Sequence, residues 1–201
     1  MLPEDNRVRY TAEEKMLHFL IAGGMLFQLI MHNWMQRPQP GETITASQAL
    51  LFGAHEFVGV GLLMIVVSRF MLTAGRWKEL LRLFPWFETA GRQSLVRELK
   101  AARASLLSGN LKDSSEQDTL AKTVHGLGLL LALGLGLTGL TLFILISSDE
   151  VLGAPGHAVM EVHELMGTLL WVFVIAHISM AIYHQFLGHR VLQYIFWPER
   201  E

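Results

Sequence analysis

Apolar residues along this chain gather into four long runs separated by polar stretches. The runs cover Met16–Met35, Ala49–Leu72, Thr123–Ile146 and Val162–Leu187. Each is long enough to cross a bilayer, which takes about 20 helical residues at ~1.5 Å rise apiece. The third, "VHGLGLLLALGLGLTGLTLFILI", carries no charge, whereas a soluble core helix of that length needs a polar face. The pattern predicts an all-α integral membrane protein, a four-helix transmembrane bundle in one domain over residues 1–201.

The connections differ in length. "QRPQPGETITASQ" and "SSDEVLGAPGHA" are short, while the connection from Thr73 to Leu120 is too long for a simple turn. Its first part, "GRWKELLRLFPWFETAG", mixes aromatic, aliphatic and basic residues, the composition of a segment lying in the membrane interface. "SLVRELKAARASLL" has helical spacing and reads as a surface helix over one end of the bundle or as a docking site for a partner subunit. "SGNLKDSSEQD" then reads as a loop. Trp34, Trp77, Trp86, Trp171 and Trp197 fall mostly near the expected interfaces, where amphipathic rings collect without any cofactor role.

Composition sharpens this picture. Of 201 residues, 51% are hydrophobic and 17% charged, and mean hydropathy is +0.36. The chain has no cysteine, which excludes disulfides, thiolate-held iron–sulfur clusters and covalent haem attachment. Metal chemistry must use imidazole, carboxylate or thioether ligands. Lysine and arginine set orientation. Arg7, Arg9 and Lys15, ten residues from Arg69 to Lys122, and Arg190 and Arg200 stand on one side, and Arg37 alone stands on the other. Both termini and the long connection are therefore expected in the cytoplasm of a bacterial inner-membrane protein. No small-residue cleavage site precedes the first run, so that helix is expected to be an anchor and not a removable signal.

Nine histidines are present, seven of them (His18, His32, His55, His125, His163, His177 and His184) within or beside the runs. A lone histidine in lipid is most simply a packed core group, but these are arranged. His163 and His177 are fourteen residues apart, nearly four turns, so they share a face at two depths ~21 Å apart. His55 enters from the same side as His163, and His18 enters from the side of His177. Two facing imidazole couples follow, His55 with His163 outside and His18 with His177 inside. Such couples suit two non-covalent b-type haems.

Two pentapeptides repeat this logic. "HEFVG" (His55–Gly59) and "HELMG" (His163–Gly167) each place a glycine one turn deeper than the histidine. Losing Cβ there lets a flat macrocycle approach the backbone, or else serves ordinary small-residue helix packing. The zinc-protease pattern H-E-x-x-H is excluded, because glycine holds the fifth position in both copies. His125 and His184 are expected at the cytoplasmic rim, contacting a quinone headgroup or a haem propionate, with displacement of His18 as inner ligand the competing role. Arg69, fourteen residues after His55, is expected either to neutralise a propionate or to serve as a positive-inside anchor. His32, His157 and His189 read as interface or loop residues.

With the histidines placed, "HELMGTLLWVFVIAHISMAIYH", "HEFVGVGLLMIVVSRF", "KMLHFL" and "HGLGLLLALGLGLTGL" resemble the bacterial cytochrome b561 and nickel–iron hydrogenase cytochrome b family. The resemblance covers all four spans. It implies haem ligation by His18, His55, His163 and His177. It also implies electron transfer between quinone and a periplasmic partner, whether a redox subunit, a soluble cytochrome or superoxide. The long connection is closer to the dehydrogenase-type members than to the compact superoxide oxidase-like ones. Expected partners are lipid, quinone or quinol and a periplasmic redox protein or dehydrogenase subunit, with no nucleic acid. The competing functions are a transporter that uses histidines for proton relay or metal binding, and a structural membrane anchor.

Overall fold

The computed structural model describes residues 12–35, 45–74, 81, 83–108, 118–147 and 153–186. These form α1 (Ala12–His32), α2 (Ala46–Ala74), a 3-10 turn (Pro85–Phe87), α3 (Thr89–Ser108), α4 (Asp118–Ser147) and α5 (Ala154–Phe186), with no strand among the described residues. Four helices, α1, α2, α4 and α5, are long and apolar enough to span a bilayer. The expected polar loops around Arg37, Asp149 and Asp113 lie outside the described residues. So do Arg7, Arg9, Trp77, Leu187, His189, Arg190, Trp197 and Arg200.

The helices overrun their apolar runs. α4 starts at Asp118, five residues before Thr123, and α5 starts at Ala154, eight before Val162. Hydropathy marks the band that lipid covers, whereas the hydrogen-bond ladder continues into the polar flank. Pro155 in the first turn of α5 fits, because a first-turn residue has no intrahelical partner for its N–H. His157, expected at an interface or in a loop, is therefore helical.

The closest helix pairs are α1 with α2, α2 with α4, and α4 with α5. Few side chains are buried (Leu29, Leu63, Val66, Ala132, Leu142 and Leu170 among them), while Phe57 is 83% and Leu50 73% exposed. An apolar exterior of this kind suits lipid as solvent, with backbone bonds satisfied inside each helix. Close approach comes from small residues: a Cβ on Gly128 would stand 2.5 Å from Phe173 Cζ across α4 and α5.

The long connection is anchored to the bundle. Phe84 is buried and stacks on Phe70 of α2 at 6.2 Å, and the Leu83 carbonyl lies directly against Gly126 of α4. Glu98 of α3, only 8% exposed, accepts the Leu120 N–H at 2.7 Å and the Ser94 hydroxyl at 3.1 Å. A carboxylate here satisfies a donor of the first turn of α4 and opposes the positive end of its dipole. The stretch expected as a surface helix is thus α3, packed over one end of α4.

Candidate haem-binding site

Helix starts set the depth of each histidine. His55 is nine residues after Ala46 and His163 nine after Ala154, so each lies ~13.5 Å along its helix from the same end of the bundle. Both line a cavity of about 530 Å³ between α1, α2, α4 and α5. Cofactor and ligand sites run ~300–1,000 Å³. Gly59 and Gly167 line it too. The two glycines differ in detail. Beyond Gly167 a Cβ would meet nothing within 4 Å, whereas beyond Gly59 it would stand 2.8 Å from the Gln28 amide nitrogen.

The rings are held unequally. His163 Nδ1 is 2.8 Å from the Thr138 hydroxyl, and a Cβ on Gly139 would be 3.2 Å from its Cε1. His55 is positioned through its backbone, whose carbonyl accepts Gln28 Nε2–H at 2.7 Å. Its own Nδ1 is buried with no hydrogen-bond partner, as is Gln28 Oε1. Buried polar atoms are seldom left so. A buried, unpartnered imidazole nitrogen beside a cofactor-sized cavity fits a group that the chain itself does not supply.

At the opposite end, His18 is six residues after Ala12, His125 seven after Asp118, and His177 nine before Phe186. These are depths of ~9, ~10.5 and ~13.5 Å. His177 stacks on Phe173 at 5.5 Å with an interplanar angle of 13°, and the His125 ring meets it edge-on at 5.4 Å. His18 lies within electrostatic range of both other histidines. His18 Nδ1 and the Tyr183 hydroxyl are buried without partners. His18 and His177 thus lie at the same end of the bundle. His125, expected nearer the rim, sits at their level, because α4 begins earlier than its apolar run and carries His125 two turns inward. Its Nδ1 is 2.8 Å from the Ala121 carbonyl, which can only accept.

Among the described residues, no three His, Asp or Glu side chains are grouped to hold a bare metal ion. The imidazoles come as facing sets at two levels, and axial haem ligation needs only two per iron. A family model described as prokaryotic cytochrome b561 matches residues 9–198 of the chain. The chain belongs to that family. No curated protein and no solved structure matches it.

A prokaryotic cytochrome b561 is a multi-pass bacterial membrane protein that binds haem b and works in electron transfer. Against that frame, several lining residues escape sequence reasoning. His32, expected at an interface or in a loop, lines the same cavity as His55 and His163. Trp171 lines the same cavity, so it is not simply an interface ring. Gln28 belongs to no motif, and Thr138 and Gly139 lie near the end of the third-span stretch without a role assigned to them. Their only signal is a shared face with histidines of other helices, which becomes visible once the helices are packed. Arg69 lies 3.7 Å from Glu14, joining α2 to α1 at the inner end. His184 is seven residues beyond His177 near the end of α5.

Proposed function

We propose that the chain holds two b-type haems, the outer by His55 and His163 and the inner by His18 and His177. Through them it carries electrons between the quinone pool and a periplasmic redox partner. Held by these imidazoles, haem would supply a one-electron redox centre. The chain supplies ligation, orientation and an apolar surround. The observation that carries this reading is the segregation of imidazoles into two levels, each with a buried ring nitrogen that has no protein partner.

Other residues take supporting roles. Gly167 leaves the backbone bare beside the outer cavity, and Gly59 does so once the flexible Gln28 amide moves. Arg69 sits at the inner level, where a cation can offset a propionate. The unpartnered Tyr183 hydroxyl, six residues past His177, offers a donor for a quinone carbonyl. His125, whose Nδ1–H goes to the Ala121 carbonyl, offers Nε2 as an acceptor for a quinol hydroxyl. The excess of Lys and Arg on one side puts both termini and α3 in the cytoplasm of an inner-membrane protein.

The test is spectroscopic. Purified protein should be red, with a dithionite-reduced spectrum of low-spin b haem and a pyridine haemochrome assay near two haems per chain. One haem per chain would remove the two-level wire. A colourless, fully folded preparation would favour the transporter or anchor.

A further inference from the structure

The outer level depends on a hydroxyl that no motif marks. Thr138 Oγ1 stands 2.8 Å from His163 Nδ1, 2.8 Å from the Gly134 carbonyl and 3.1 Å from the Leu135 carbonyl. A hydroxyl has one proton to donate, and carbonyl oxygens only accept. The Thr138 proton therefore goes to the preceding turn of α4, and its lone pair faces His163. Nδ1 must bring the proton to that contact. A neutral imidazole has one N–H, so Nε2 is left with a free lone pair. Gly139 leaves room for the ring, since a Cβ there would stand 3.2 Å from Cε1.

We propose that Thr138 is a positioning residue: it holds His163 as the Nδ1–H tautomer and sets the electron-donating strength of Nε2 toward the outer haem. The inference rests on the proposed ligand role of His163. An acceptor on the far N–H raises the basicity of an imidazole ligand and favours the more oxidised metal. Thr138→Val keeps the shape and removes that acceptor. Loss of such a partner changes metal affinity ~10–100-fold. The low end applies here because a neutral hydroxyl is a weaker acceptor than an ionised carboxylate. A roughly tenfold shift toward ferrous iron raises the outer midpoint by ~59 mV for one electron.

The experiment is a spectroelectrochemical titration of the full chain, with haem-to-protein ratios, for wild type, Thr138→Val, Thr138→Ser and His163→Ala. The outer component is the one missing in His163→Ala. Only that component should move in Thr138→Val, and Thr138→Ser should restore it. Loss of outer haem in the valine variant alone would also support the role. An unmoved midpoint in Thr138→Val, or equal shifts or losses in the valine and serine variants, would overturn it. A complete haem complement in His163→Ala would instead remove the ligand assignment itself, and this inference with it.

Discussion

The outer and inner levels restrain the same kind of side chain by different means. His163 Nδ1 meets the Thr138 hydroxyl at 2.8 Å, and the ring faces a cavity of about 530 Å³. His177 has aromatic restraint instead, lying flat on Phe173 with His125 edge-on against it. A hydrogen bond specifies which ring nitrogen carries the proton, while a stacked ring specifies the plane and leaves the tautomer open. The outer level therefore answers to removal of a hydroxyl, and the inner level to removal of a ring.

The strongest way to break this comparison is to delete one ligand from each level. His163→Ala should lose the outer haem and His177→Ala the inner, each retaining about half the haem, with opposite components absent from the redox titrations. Absence of the same component in both variants would collapse the two levels into one. Next comes the crowding of three histidines inside. His18→Ala should remove the inner haem, whereas His125→Ala should keep both haems and move only the inner midpoint. The reverse result would make His125 the ligand.

A smaller effect separates the two outer glycines. Gly167→Ala should leave haem content unchanged, because its Cβ meets open space, while Gly167→Leu should lower outer occupancy with normal membrane insertion. Gly59→Leu should lower it as well, since its side chain competes with Gln28. Full occupancy in both leucine variants would reduce these glycines to helix packing. The least effect on the haems belongs to Glu98→Ala. It should cost about 1.5–3 kcal/mol, the range for hydrogen bonds to a charged group. A lower thermal midpoint with both redox components in place would show that the α3 cap serves stability and not the sites.

Much of this was legible before folding. Four apolar runs, an uncharged third span and the fourteen-residue interval from His163 to His177 need only the helix rise and the thickness of lipid to be interpreted. His55, His163, His18 and His177 follow from periodicity, because ligation demands a strong donor at a set depth. His125 and His32 did not follow. Their depths depend on where helices begin, and apolar composition marks the lipid boundary instead of the first hydrogen-bonded turn. Thr138 was invisible for another reason: threonine bonds back to its own helix so often that only its distance to His163 gives it meaning.

By itself, the sequence determined the class, the number of spans and the spacing of histidines along each helix. All of these are one-dimensional properties of an α-helix in a bilayer, where backbone groups must pair within their own segment. Only the tertiary structure decided which faces meet. It showed that Gln28 covers Gly59 while Gly167 opens onto the cavity, that the Thr138 hydroxyl meets His163 Nδ1, and that the His125 ring lies edge-on against His177. Those contacts depend on the rotation and closeness of neighbouring helices. Packing sets both, between side chains far apart along the chain.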